Sequence, residues 1–285
     1  ASGSAWAASC GSTDSIAAEQ KRVAGDSDAF DISRVDKLDE AQLRPMGATD
    51  VHLRILAVSG EHNINLAALA DTVNIADIRG GKIFIPAFAV GRTQEIVYEL
   101  HGLALAGKIP GVPIYVDSPM ALNALAVYRR AITEPSADIA TDVALASRNS
   151  DLFDGGRVTE VRDVENSKAL ADLHGPMIIV SASGMATGGR VVHHLRRLLP
   201  NHNNTVLLVG YQAAGTRGRL LADGAGEVKM LGRDVRVRAE VVDLGAFSVH
   251  ADQRELLDWL VTADPPPEVV YLVHGEPRST EALKV

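Results

Sequence analysis

The sequence predicts an α/β fold in which helices cover both faces of a mainly parallel sheet. From about Leu53, short runs rich in β-branched residues alternate with segments of helical periodicity. The runs are almost wholly apolar, as strands buried on both faces are. Gly, Pro and Ser residues punctuate the junctions. Ligands of such sheets bind at the carboxyl ends of the strands.

The elements follow one another along the chain. Strands are predicted at 82–88, 113–117, 177–182, 205–210, 236–244 and 268–273. Helices are predicted at 93–106, 119–132, 188–199 and 253–261, where apolar residues recur every three or four positions. Ser118 before Pro119 marks one helix start, because serine caps a helix and proline suits its first turn. Residues 1 to about 50 carry little periodic signal and are expected to be weakly structured.

Composition bounds the function. The 285 residues allow one or two domains, and 46% hydrophobic with 22% charged residues exclude wholesale disorder. No apolar stretch is long enough for a membrane-spanning helix and no signal peptide is recognisable, so we expect a cytoplasmic protein without a membrane partner. The single cysteine, Cys10, excludes an internal disulfide and a thiolate zinc cluster. A net charge of −8 argues against coating nucleic acid through bulk positive charge.

A glycine-rich segment at 181–190 follows a predicted strand and leads into a helix. It reads Ser-Ala-Ser-Gly-Met-Ala-Thr-Gly-Gly-Arg. Glycines let the backbone approach a ligand closely, and amides at a helix start favour an anion such as phosphate. A turn without a ligand is the alternative that this segment alone leaves open.

A basic island surrounds that segment. Residues 173–222 contain five arginines and four histidines but no Asp or Glu. Arginine matches phosphate oxygens bidentately, which predicts a nucleic-acid track despite the acidic total charge. A solvated helix face is the alternative, especially for Arg196 and Arg197. Of the histidines, the adjacent His193 and His194 point about 100° apart on a helix, so packing or surface roles are predicted rather than metal binding.

Two histidines lie at predicted strand ends. His250 precedes a helix and has Asp252 nearby to orient it or to cap that helix, and His274 follows the last apolar run directly. Histidine suits metal ligation or proton transfer near neutral pH. A structural role for each remains the alternative.

Six segments together resemble the β-CASP branch of the metallo-β-lactamase superfamily, RNA-processing nucleases that include cleavage-and-polyadenylation endonucleases and ribonuclease J. The segments occur in the family's order. They are Ile-Pro-Ala-Phe-Ala-Val-Gly-Arg-Thr-Gln-Glu at 85–95, Tyr-Val-Asp-Ser-Pro-Met-Ala at 115–121, Ser-Gly-Met-Ala-Thr-Gly-Gly-Arg at 183–190, Gly-Tyr-Gln-Ala-Ala-Gly-Thr-Arg-Gly-Arg at 210–219, Phe-Ser-Val-His-Ala-Asp at 247–252 and Leu-Val-His-Gly-Glu at 272–276.

The resemblance implies a Rossmann-like parallel sheet, the β-CASP domain, at 58–240. It also implies a partial metallo-β-lactamase αββα portion, formed by a divergent or truncated remnant at 1–57 and a returning segment at 241–285. Family members hydrolyse RNA with two zinc ions. His250 and Asp252 then match catalytic positions and His274 a zinc ligand. The residues expected to contact RNA or its phosphates are Arg92, Ser183, Gly184, Met185, Gly188, Gly189, Arg190, Arg217 and Arg219. A homodimer is a further expectation.

The sequence departs from the family in its first part. The family's His-x-His-x-Asp-His metal motif is not found, and the best match to another motif places Leu56 where the family has an acid. A start at Ala1 is compatible with a fragment of a longer protein. The first hypothesis is therefore a zinc-dependent ribonuclease whose chemistry is impaired in this chain. The alternatives are a catalytically silent RNA-binding relative and a hydrolase of another phosphoester or ester.

Overall fold

A computed structural model describes residues 63–133, 151–154, 156–244, 253–263, 265, 267, 269–273 and 275–283. These residues fall into two compact units, 63–244 and 253–283. His250, Asp252 and His274 lie outside the described residues.

The larger unit is built on a six-stranded sheet. Its strands are β1 (Lys82–Pro86), β2 (Ile114–Val116), β3 (Val158–Glu160), β4 (Met177–Ser181), β5 (Thr205–Leu208) and β8 (Glu240–Asp243). Their order in the sheet is β3-β2-β4-β1-β5-β8, and the pairing of neighbouring strands is parallel throughout. A hairpin of β6 (Glu227–Met230) and β7 (Arg233–Arg236) forms a second, two-stranded sheet, and its Val228 and Met230 pack in the same core cluster as Phe84. The predicted α/β class with a parallel sheet is confirmed.

Six helices of this unit are described. They are α1 (Asn63–Ile78), α2 (Arg92–Leu105), α3 (Pro119–Thr133), α4 (Val164–Ala169), α5 (Arg190–Leu198) and α6 (Arg217–Ala222). The predicted helices at 93–106, 119–132 and 188–199 correspond to α2, α3 and α5. In the smaller unit, α7 (Gln253–Leu260) matches the prediction at 253–261 and α8 (Pro277–Leu283) was not predicted. Within the described residues, no helix is both long and apolar enough to cross a membrane.

Alternating side chains of the strands fill a core on each face of the sheet. Ile83 and Ile85 of β1 pack in one cluster with α1 and α2. Phe84 between them packs in another cluster with α5. Each of these side chains is at most 3% exposed, and burying one contributes about 1.5–3 kcal/mol. The apolar strands are therefore explained by burial on both sides.

The connections of the two central strands leave the sheet in opposite directions. β1 continues through α2 to β2, while its neighbour β4 continues through α5 to β5. Because α2 and α5 pack on opposite faces, the chain continues from these adjacent strand ends toward opposite sides of the sheet. This divergence is the kind of position at which open α/β sheets bind ligands.

Some predicted elements need correction. The strand predicted at 268–273 is wrong for the residues described there, since 269–273 carry no strand. Tyr271 is 81% exposed, and an apolar run becomes a strand only when a neighbouring strand satisfies its backbone. The strand predicted at 236–244 divides, because Arg236 closes β7 and β8 begins only at Glu240.

Candidate phosphate-binding edge

The loops that follow β1 and β4 are in close backbone contact. A Cβ atom at Gly184 would lie 3.0 Å from the amide nitrogen of Phe88 and 3.2 Å from the carbonyl carbon of Ala87. The amide of Ala87 also donates to the carbonyl of Ser181 at 3.0 Å. Only glycine allows this approach without a shift of backbone, so Gly184 has a structural reason to be glycine.

Two helices begin at this edge without a side-chain cap. Gly91 is the N-cap residue of α2 with φ 82°, and Gly189 is that of α5 with φ 76°. By contrast, Asp163 caps α4 and Thr216 caps α6 through their side chains. The first amides of a helix lack intrahelical partners and carry partial positive charge. At α2 the amides of Arg92 and Thr93 already donate to the carbonyls of Val90 and Phe88, both at 3.1 Å. Of these two helix starts, that of α5 is therefore the one available to an anion.

The two helices differ in the acidic side chains of their first turns. α5 has no acidic residue in its first turn. α2 has Glu95, which forms a buried ion pair with Arg92. The pKa of Glu95 is raised to about 7. Burial is the largest cause and the charge of Glu99 adds to it, while the charge of Arg92 opposes the rise. Arg92, one of the predicted RNA contacts, is thus 8% exposed and engaged within the protein.

Asp117, at the carboxyl end of β2, is the centre of a buried polar network. Its Oδ1 accepts from Arg190 Nη1 at 2.6 Å, and its Oδ2 lies 2.5 Å from both Ser167 Oγ and His194 Nε2. The side chain of Asp117 is 0% exposed. Ser181 Oγ donates to the backbone carbonyl of Asp117 at 2.8 Å. The network therefore joins β2, β4, α4 and α5.

The network keeps Asp117 ionised. Burial alone would raise the pKa of this carboxyl, but the hydrogen bonds from His194, Ser167 and Arg190 outweigh burial and hold the pKa below its usual range. Arg190 also donates to the carbonyls of Val161 at 3.0 Å and of Arg162 at 2.7 Å. Its guanidinium therefore fixes the start of α5 to the edge of the sheet.

Arg217 and Gln212 brace the glycine-rich loop from its other side. Arg217 donates to the carbonyls of Thr187 and Lys229, both at 2.8 Å. Gln212 Nε2 donates to the carbonyls of Gly184 at 3.1 Å and of Gly210 at 2.8 Å. These bonds connect the loop after β4 to the loop after β5 and to β6.

The remaining predicted contacts lie on the same loop or close to it. Ser183 Oγ is 2.8 Å from Thr187 Oγ1. Ser183, Met185 and Gly188 are half-buried, and Gly189 is exposed. Arg219 pairs with Asp223 at 2.9 Å, one turn along α6. The structure therefore brings Ser183–Gly189 and Arg190 to one edge, while the RNA contacts themselves stay predictions.

Three members of the Asp117 network, Asp117, Ser167 and His194, are not among the predicted site residues. The sequence analysis includes Asp117 in the family-like segment 115–121 without assigning it a site role, and it predicts a packing or surface role for His194. His194 is 5% exposed and bonded to Asp117, while His193 is exposed. The local signal for Asp117 was a carboxylate directly after a buried strand. Nothing local indicates its partners.

Zinc ligands are a separate matter. Among the residues with described positions, no three His, Cys, Asp or Glu side chains are grouped so that they could hold a metal ion. A zinc site needs about three or four protein ligands. The described part of the chain therefore does not fit a zinc site by itself, and the predicted ligand His274 lies outside it.

Two family models match the chain. The Beta-Casp domain matches residues 93–221, which include the loop 182–189 and Arg217. The Zn-dependent metallo-hydrolase RNA specificity domain matches residues 234–285, which include His250 and His274. Together they cover most of the larger unit and all of the smaller one.

Individual proteins match over most of this chain. A protein of Thermus thermophilus named a ribonuclease is 42% identical over 207 residues, 72% of this chain and 46% of that protein. An RNase J-like protein of Methanocaldococcus jannaschii is 35% identical over 198 residues, with shares of 69% and 44%. The transcription termination factor FttA of Pyrococcus abyssi is 36% identical over 211 residues, with shares of 70% and 31%. The chain spans less than half the length of each.

Proposed function

Because the chain belongs to the β-CASP family of RNA nucleases with the metallo-β-lactamase fold, we propose that it binds single-stranded RNA along the carboxyl edge of its sheet. The observation that carries this proposal is the start of α5, which has neither a side-chain cap nor an acidic residue in its first turn. It follows the glycine-rich loop after the central strand β4, so a phosphate group can lie near its first amides.

The loop 182–189 is held in place for such a ligand. Arg190 fastens its end to Asp117, and Arg217 fastens its middle to β6 through carbonyl groups. A ligand that meets a fixed loop loses less free energy to ordering. In this proposal Arg190 and Arg217 support the loop, and the amides at the start of α5 contact the phosphate.

RNA cleavage is the second part of the proposal. His250 and Asp252 would serve the scissile phosphate, and His274 would bind one of two zinc ions. In this proposal these residues belong to a segment at 241–285 that follows the β-CASP domain at 58–240 in the sequence. The 285 residues contain no His-x-His-x-Asp-His string. The chain alone is therefore proposed to bind RNA while cleaving it poorly, and a silent RNA-binding relative remains the alternative function.

The test measures binding and cleavage by the same purified chain. Binding of a labelled single-stranded RNA is followed across a salt series, and cleavage is followed with and without added Zn²⁺. We expect affinity that falls as salt rises, because phosphate contacts release counterions. Cleavage should be weak and should disappear in His250→Ala and His274→Ala.

Two results would decide against parts of the proposal. RNA affinity that is absent, or indifferent to salt, would refute phosphate binding at this edge. Fast cleavage by the isolated chain would contradict impaired catalysis. If the chain hydrolyses another phosphoester in a substrate panel but does not hydrolyse RNA, the alternative function as a hydrolase of another phosphoester or ester is favoured.

A further inference from the structure

Phe88 is a large apolar side chain that stays 41% exposed beside the glycine-rich loop. A Cβ atom at Gly184 would lie 3.0 Å from Phe88 Cδ2, and one at Gly210 would lie 3.9 Å from Phe88 Cε2. The ring therefore lies against the backbone of two glycines, one in each neighbouring loop. The remainder of the ring is open to solvent.

The backbone of Phe88 is firmly held. Its carbonyl accepts from Thr93 Oγ1 at 2.8 Å and from the Thr93 amide at 3.1 Å. The next carbonyl, of Ala89, accepts from Gln94 Nε2 at 3.1 Å. An exposed ring on a fixed backbone loses little conformational entropy when a flat partner covers it.

We propose that Phe88 is a stacking platform for an unpaired RNA base whose phosphate lies at the start of α5. This inference rests on the proposed RNA binding. Aromatic rings that stack on bases are the common, sequence-tolerant means of holding single-stranded RNA. Tyr211, which follows Gly210 and is 50% exposed, places a second aromatic residue on the neighbouring loop.

The surroundings of Phe88 favour a nucleotide over an apolar protein segment. The ring lies against the backbone of Gly184, in the loop that leads to the start of α5, and the first amides of that helix have no side-chain cap. A nucleotide supplies both a flat apolar face and an anion. An apolar peptide would cover the ring but would leave those amides without an acceptor, at a cost in free energy.

The test uses the full 285-residue chain and a short single-stranded RNA that carries 2-aminopurine, whose fluorescence is quenched when the base stacks. We expect quenching by the wild-type chain and by Phe88→Trp, but not by Phe88→Ala or Phe88→Leu. The affinities of the Ala and Leu variants should fall roughly 5- to 150-fold, the effect of losing one stacking residue.

The control substitution removes an exposed apolar side chain elsewhere. Leu105 is 72% exposed at the end of α2, on the opposite edge of the sheet, so Leu105→Ala should leave affinity unchanged. A second probe is the same ribose-phosphate chain without bases. Wild type and Phe88→Ala should bind this abasic chain equally, because neither can stack on it.

The outcomes separate stacking from RNA binding as such. If the Phe88→Ala and Phe88→Leu variants bind RNA as tightly as wild type, the stacking role is overturned and the proposed function stays intact. If Phe88→Ala loses as much affinity for the abasic chain as for RNA, the stacking role is also overturned, because the ring would then act only on the shape of the loop. A wild-type chain that binds neither probe would overturn both proposals.

Discussion

At the scale of single residues, Asp117 decides how the candidate site is organised. It lies 50 residues from Ser167, 73 from Arg190 and 77 from His194 in sequence, yet it contacts all three. No pattern of a few residues could have predicted this network, because parallel strands bring distant segments together through long crossovers. Arg190 was predicted from local composition as an RNA contact, and its bond to Asp117 was not foreseen.

Replacing Asp117 by Asn should destabilise the larger unit. The change leaves the Arg190 guanidinium, which is 21% exposed, without its counter-charge. Loss of one partner of such a pair costs about 3 kcal/mol of unfolding free energy. Denaturant unfolding should also show that the difference from wild type shrinks at low pH. The folded pKa of Asp117 lies below its unfolded value, so its stabilisation is present above the unfolded pKa and lost as pH falls through the folded pKa.

The matched control is Asp223→Asn. Asp223 pairs with Arg219 on the surface, with 57% and 40% of the two side chains exposed. Its loss should cost less than about 1 kcal/mol. Equal effects of the two substitutions would contradict a central role for the buried network.

At the scale of elements, the sequence predicts the buried apolar strands best, and it misses the short or half-exposed strands β3 and β6. β1 and β4 were predicted because both of their faces are buried. β3 is the tripeptide Val-Thr-Glu, and β6 buries only alternate residues. The hairpin β6–β7 turns through Leu231 at φ 48° and Gly232 at φ 78°, a turn of the kind that glycine favours but leucine does not. Its sequence signal was correspondingly weak.

The contact between the loops after β1 and β4 can be tested with two glycines of one loop. Gly184→Ala places a Cβ atom 3.0 Å from the Phe88 amide nitrogen, so backbone must move, and we expect a loss of about 1–3 kcal/mol in unfolding free energy. At Gly188 a Cβ atom would meet nothing within 4 Å. Gly188→Ala should therefore change stability by less than about 0.5 kcal/mol. Thermal and denaturant unfolding of both variants measure this, and a reversed order would refute the close packing of the loops.

At the scale of the whole molecule, charge at the candidate site is local and partly paired. The chain carries −8 overall, yet residues 173–222 contain no Asp or Glu. The structure pairs Arg190 with Asp117 and Arg219 with Asp223, both from outside that range. Part of the positive charge counted in the sequence is therefore neutralised. In the proposed function, attraction for phosphate then depends on the backbone amides at the start of α5, a feature of geometry that composition cannot reveal.

The most direct test of phosphate binding at this edge places a negative charge beside the start of α5. Gly188→Asp has open space for its side chain, and Gly102→Asp adds the same charge to an equally open position within α2. We expect the RNA dissociation constant to rise roughly 10-fold or more for Gly188→Asp, through repulsion of the phosphate. It should stay within about twofold of wild type for Gly102→Asp, because exposed charges far from the ligand are screened. Equal RNA affinities of the two variants would contradict phosphate binding at the start of α5.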